Sequence, residues 1–191
     1  MDAIATAMLR LRRELAEYRD RWPAERACVA SFEALLDSAS LDDAWRRERL
    51  DGHFTGSAFV VSADGLRTLL MHHRKLDRWL QPGGHADGDT DLGAVALREA
   101  QEETGLAGLR LEPGIFDLDR HRIPARGAEP EHWHHDVRYV LRATDEAFRI
   151  SAEAKALAWR PIADLAGDDL LDPSLRRMAL KWIASAGRAL A

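Results

Sequence analysis

A chain of 191 residues is long enough for one domain of ordinary size plus some decoration. Hydrophobic residues at 46% and charged residues at 31% belong to a globular chain and exclude a disordered one. Lys and Arg total 27 against 32 Asp and Glu, a formal net charge of -5. That acid excess argues against general nucleic-acid binding, which needs surplus cation to displace counterions from phosphates.

The single cysteine, Cys28, excludes an internal disulfide framework and a cysteine-only zinc site, and reads as a small apolar residue on a helix. No stretch approaches the roughly 20 apolar residues that span a bilayer. Met1 to Arg13 has no apolar core of signal-peptide type, and its acidic residues argue against a mitochondrial presequence. The expectation is a cytoplasmic protein with no membrane partner. Eight histidines, most of them in two short stretches, are the unusual feature.

Residues 2–50 read as helix almost throughout. Ile4, Met8, Leu11, Leu15 and Tyr18 recur at steps of three and four, one apolar stripe on a helix otherwise rich in Arg and Glu. Trp22-Pro23 ends it, since proline disfavours helical geometry in the preceding residue. A second helix carries Val29, Phe32, Leu35 and Leu36, and a third is predicted over Leu41 to Leu50, closed by Asp51-Gly52. This helical prefix packs on the rest of the chain or serves a homodimer.

The pattern changes at His53. Ser57 to Val61, an Asp64-Gly65 turn and Leu66 to Met71 predict a β-hairpin. Trp79 to Gly84 reads as a strand end running into a glycine loop. A helix is predicted from about Leu92 to Thr104, entered through Asp89, Thr90 and Asp91, each an acceptable cap. Gly105 followed by Leu106 is its expected end. Strands are predicted at Ile115 to Ile123 and Val137 to Ala143, and a short helix around Pro161 to Leu165. A last helix starts at Asp172-Pro173, with Leu175, Met178, Ala179, Trp182, Ile183 and Ala186 as its core stripe. The chain is mixed α/β with extra helices at both ends.

The chemistry is concentrated in Gly83-Gly84-His85 through Leu106. Glu99, Glu102 and Glu103 stand at i, i+3 and i+4, so their carboxylates share one helical face. Arg98 is four residues before Glu102 and in reach of it. Three like charges so close repel one another and call for a compensating cation. An oxygen-rich donor set selects a hard divalent ion, Mg²⁺ with Mn²⁺ as a substitute. The plain alternative is a solvated acidic face with i,i+4 ion pairs. A glycine loop beside such carboxylates is what phosphoryl chemistry requires.

This segment resembles the Nudix box, Gly, five residues, Glu, seven residues, then Arg-Glu-U-x-Glu-Glu-x-Gly-U with U bulky and apolar. Gly84, Arg98, Glu99, Glu102, Glu103, Gly105 and Leu106 match at the right spacing. Ala100 is small where a bulky residue is expected, and Thr90 stands in place of the first glutamate. The resemblance spans roughly His53 to Leu165, with Ser151-Ala152-Glu153 and Trp159 similar to a later acidic segment of the family. It implies an α/β/α sandwich with a mixed sheet. The domain pattern is then an N-terminal helical extension over 1–52, a catalytic core over 53–170 and a C-terminal helix over 171–191.

The implied activity is Mg²⁺-dependent hydrolysis of a diphosphate bond in a nucleoside diphosphate derivative, by attack of water at phosphorus. Glu99, Glu102 and Glu103 are the implied metal ligands, with Arg98 orienting them. The general base is a box glutamate, Glu153 or another acid outside the box. Gly83, Gly84 and His85 are expected to meet the substrate, a small-molecule diphosphate. Two other readings are a non-catalytic nucleotide-sensing module and an isoprenoid-diphosphate isomerase. The second needs a catalytic cysteine near the sheet, where Cys28 does not lie in sequence.

His132, His134 and Asp136 alternate, so a strand turns all three to one face. Such a trio binds a transition metal, grips a substrate phosphate or forms a polar strand edge. Substrate binding is preferred here to a dedicated zinc site, since the sequence shows no fourth ligand. Asp117, Asp119 and His121 alternate in the same way on the preceding predicted strand. His72 and His73 beside Arg74 and Lys75 form a basic edge.

Overall fold

The apolar stripe at the N-terminus folds as helix α1 (Ala3–Arg21), which buries Ala7, Leu11, Leu15 and Tyr18 and leaves Arg13, Glu17 and Arg21 exposed. Helix α2 (Arg26–Asp37) follows one 3-10 turn later and buries Val29, Phe32, Leu35 and Leu36. Next come strands β1 (His53–Val61), β2 (Arg67–His73), β3 (Arg78–Leu80) and β4 (Gly83–His85), then helix α3 (Leu92–Thr104). Strands β5 (Leu109–Leu111), β6 (Asp117–Ile123), β7 (His132–Ala143) and β8 (Ala154–Pro161) lead to helices α4 (Ile162–Gly167) and α5 (Pro173–Ala189). This is the α/β class expected. The computed structural model describes residues 3–40, 42–127 and 130–189, with side chains to residue 185.

Two compact units divide the chain. The first comprises Met1–Ser57, Gly83–Ala96 and Pro113–Tyr139; the second comprises Ala58–Pro82, Leu97–Glu112 and Val140–Ala191.

In the first unit, α2 packs on β6, with Cys28 Sγ 3.8 Å from the Leu118 carbonyl. Phe32 lies against Phe54 of β1 and edge-on against His135 of β7, with ring centroids 6.2 and 5.1 Å apart. Burying a side chain of this size contributes about 1.5–3 kcal/mol. The α1 helix is fixed by polar contacts too. Tyr139 donates to Glu14 at 3.1 Å, and Arg10 bonds Asp91 at 2.9 Å and the Thr90 carbonyl at 3.2 Å.

The third helix predicted for this prefix does not form. Leu41 lies outside the described residues, and Asp43–Trp45 makes only a single 3-10 turn. Ala44 and Trp45 are buried, but the next four residues are Arg46, Arg47, Glu48 and Arg49, with no apolar side chain to bury. A short helix without a packed face does not offset its nucleation cost. The Trp45 carbonyl instead accepts from Gly88 N–H at 2.8 Å, and Arg46 leaves in an extended conformation.

In the second unit, β2 pairs antiparallel with β3 on one side and with β8 over Arg67↔Pro161 to His73↔Ala154. The hairpin forms at the expected Asp64-Gly65 turn, with Gly65 at φ +72° and Ser62 N–H bonded to the Arg67 carbonyl. Strand β8 was not anticipated, since its Ala and Lys residues carry little strand preference and only pairing with β2 imposes it. In α5, Leu175, Met178 and Ala179 are buried and the Trp182 indole donates to the Gly65 carbonyl at 2.8 Å. Ile183, expected in this stripe, is 46% exposed. The Ala186 side chain lies outside the described residues.

Candidate functional site

Helix α3 has the bounds its sequence predicts. Its cap is Asp91, whose Oδ1 accepts from Ala94 N–H at 3.0 Å, while Asp89 accepts from Asp91 N–H. Thr90 thus takes no part in capping with its side chain and presents its carbonyl to Arg10. The other end closes as expected, with Gly105 at φ +68° and bonded to the Gln101 carbonyl. Arg149 N–H caps the Thr104 carbonyl at 2.7 Å.

Between these ends, Ala100 is fully buried, so this face of the helix is packed despite the small residue. Glu103 is only 7% exposed, the Glu99 side chain 20%, and Glu102 faces solvent. The acidic face therefore runs from interior to surface. Arg98 pairs with its neighbour Glu99 at 3.1 Å rather than with Glu102, the partner its spacing suggests. Glu153 sits in the turn before β8; its carbonyl accepts from Arg74 N–H and its side chain is exposed.

Gly83, Gly84 and His85 form strand β4 rather than an open loop, paired with Ser57, Gly56 and Thr55 of β1. Glycine at 83 has a packing reason, since a Cβ there would overlap Ser57 Oγ and stand 2.7 Å from its Cα.

His132, His134 and Asp136 do share one face of β7, and the facing strand extends that face. His121 lies opposite His134, Asp119 opposite Asp136 and Asp117 opposite Arg138. Two aspartates directly opposite each other repel. Arg138 resolves this, reaching Asp136 at 2.7 Å, Asp117 at 3.4 Å and Asp119 at 3.3 Å. Burial works against its charge, but the three carboxylates outweigh it and hold the guanidinium above its ordinary pKa. Asp136 also accepts from Thr55 at 2.9 Å and Ser57 at 2.7 Å. Its carboxylate is thus held among donors of the fold.

The histidines gather at the end of this strip. His134 has ring centroids 4.9 Å from His53, 5.0 Å from His85, 5.1 Å from His132 and 5.4 Å from His121. Burial, then the charges of His85, His53, His121 and His132, push the His134 imidazole down to about 2, so it is neutral at physiological pH. His53 is lowered chiefly by burial as well. His53 and Arg138 were not singled out in the sequence. His53 carries no signal until β1 is paired, and Arg138 extends an alternation that already held His132, His134 and Asp136.

A family model described as the NUDIX domain matches residues 53–182. The chain belongs to the Nudix family, whose class is hydrolases of pyrophosphate bonds. Among solved structures it is similar to a Nudix-family hydrolase from Clostridium perfringens, at 24% identity over 70% of this chain and 97% of that one, TM-score 0.53. It is also similar to an Ap4A hydrolase from C. elegans, at 16% identity over 71% and 98%, TM-score 0.53. A MutT protein from Methanosarcina mazei Go1 matches at 19% identity over 72% and 97%, TM-score 0.51. At these identities the likeness shows the fold. No curated protein matches. Among the described residues, no helix is long and apolar enough to cross a membrane.

Proposed function

We propose that the protein hydrolyses a diphosphate bond in a nucleoside diphosphate joined to a second moiety, using Mg²⁺ or Mn²⁺ held by Glu99, Glu102 and Glu103. The observation that carries this reading is the acidic face of α3, three carboxylates at i, i+3 and i+4 between a firm cap and a firm stop. The donor set fits such an ion, being oxygen only and graded from the buried Glu103 to the exposed Glu102.

Bound there, a divalent ion supplies stabilisation of the charge that develops on the leaving diphosphate. Arg98 holds Glu99 in place through its ion pair. Glu103, least exposed of the three, has the least freedom to move, which suits a ligand that must not reorganise. The water that attacks phosphorus gives its proton to a box glutamate or to Glu153. The substrate is a small molecule, and a homodimer is consistent with the helical prefix.

The test is a phosphate-release screen with Mg²⁺ and Mn²⁺ over nucleotide sugars, ADP-ribose, dinucleoside polyphosphates and nucleoside triphosphates. Turnover that stops with EDTA and falls on the order of 1000-fold in Glu102→Gln supports the reading. Turnover that survives both overturns it, as does tight binding across the panel with no product.

A further inference from the structure

The polar face of the first unit ends in five imidazoles, and three of them meet at one point. One ring nitrogen each of His53, His132 and His134 lies within 4.8 Å of the other two. We propose that His53, His132 and His134 bind one divalent transition-metal ion of the Zn²⁺ class, with a fourth position left open. The site uses imidazole donors and is independent of the carboxylate chemistry proposed above.

Three observations carry the assignment. First, the rings are oriented for it. His53 Nδ1 sits 3.3 Å from the Arg49 carbonyl and His132 Nδ1 2.9 Å from the Pro130 carbonyl. A carbonyl only accepts, so each Nδ1 carries the proton and each Nε2 offers a lone pair. Backbone carbonyls that fix the tautomer in this way are the usual outer support of a metal-binding histidine.

Second, the spacing fits. His132 Nε2 and His134 Nε2 are 3.2 Å apart. Two ligands about 2.0–2.1 Å from a tetrahedral zinc ion stand about 3.3 Å from each other. A ring nitrogen of His53 stands within 4.8 Å of both and closes the triangle by moving toward them.

Third, His53 Nε2 is buried and has no hydrogen-bond partner among the described residues. A buried polar atom without a partner costs about 1–3 kcal/mol. A bound metal ion removes that cost. His121, opposite His134 and bonded through Nδ1 to Asp119 at 3.0 Å, stands beside the site as a further oriented imidazole.

The experiment uses untagged protein, stripped with chelator and returned to buffer with millimolar Mg²⁺ to occupy oxygen sites. Zn²⁺ is titrated by calorimetry, and imidazole nitrogens are followed by long-range ¹H–¹⁵N NMR. The expected result is one equivalent bound, with Nε2 of His53, His132 and His134 shifting together. Both His53→Asn and His134→Gln should weaken Zn²⁺ binding about 100-fold or more, whereas Glu102→Gln should leave it unchanged. No stoichiometric uptake by the wild-type chain overturns the proposal without reference to any variant. Uptake that moves no histidine resonance, or that is lost in Glu102→Gln alone, overturns it as well. Hydrolysis plays no part in these readouts, so failure here leaves the pyrophosphohydrolase reading standing, and the reverse.

Discussion

Arg138 Nε lies 2.7 Å from Asp136 Oδ2, and both side chains are almost wholly buried. The pair neutralises only part of its surroundings, because the same guanidinium serves Asp117 and Asp119. Arg138→Met leaves three carboxylates facing one another without a cation. Breaking a buried ionic set by removing one partner costs about 3–5 kcal/mol. Urea denaturation should show a loss of that order. Arg138→Lys should recover only part of it, since an ammonium cannot reach three carboxylates from one planar fork. A loss below about 1 kcal/mol in the Met variant would mean that the strip tolerates its charge by other means.

The ion pair of Arg10 with Asp91 is a weaker device. Both side chains are close to half exposed, so Arg10→Ala is expected to cost only about 0.2–1 kcal/mol in thermal or chemical unfolding. Its interest lies in its neighbour, Thr90, which occupies the position of the first Nudix-box glutamate. Thr90→Glu places a carboxylate near Arg10 and is expected to raise Mg²⁺-dependent turnover. Unchanged turnover at saturating and at limiting Mg²⁺ would show that Thr90 does not limit the site.

Glu103 and Glu153 make different predictions. Glu103→Gln is expected to lower kcat on the order of 1000-fold, since it removes a nearly buried carboxylate from the acidic face. Glu153 is exposed in a turn. A fall in kcat for Glu153→Gln of about 100-fold or more, with KM unchanged and the acid limb of the pH profile lost, identifies it as the general base. A smaller effect assigns the base to the box.

Glu14 gives a pH-dependent signature. Burial is the largest influence on it and raises its pKa in the folded protein, outweighing the hydrogen bond from Tyr139 and the nearby Arg10. A carboxyl group whose folded pKa exceeds its unfolded value binds protons more tightly when folded. Stability therefore falls as pH rises from the unfolded value near 4.5 through the raised folded value. Glu14→Gln keeps an acceptor for Tyr139 and removes the charge. Its melting temperature should exceed that of the wild type at neutral pH, and the difference should vanish below pH about 4.

Gly105 is a position where the backbone leaves little choice. It combines φ +68° with a neighbour, Arg149 Cβ, that would stand 2.9 Å from any added Cβ. Gly105→Ala should destabilise by about 1–2 kcal/mol in chemical denaturation. A neutral result would require the Arg149 segment to shift, visible as altered amide exchange at Arg149.

Helix α3 was legible from its residues alone, apart from which of Asp89, Thr90 and Asp91 caps it. Its cap, its glycine stop and the spacing of Glu99, Glu102 and Glu103 are all interactions between residues a few positions apart. The same holds for α1 and for the Asp64-Gly65 hairpin. The segment from Asp42 to Leu50 and strand β8 were not legible, for opposite reasons. The first has helix-forming residues but, after Ala44 and Trp45, four residues in a row with no apolar side chain to bury, and the second has weak strand formers held in place by β2.

The histidines mark the same boundary within one strand. Alternation along β7 put His132, His134 and Asp136 on one face. It could not show that Asp136 is engaged by Thr55, Ser57 and Arg138, or that His53 arrives from β1 beside His134. Spacing along the chain determines which side chains share a face. Only the pairing of strands distant in sequence decides what that face meets.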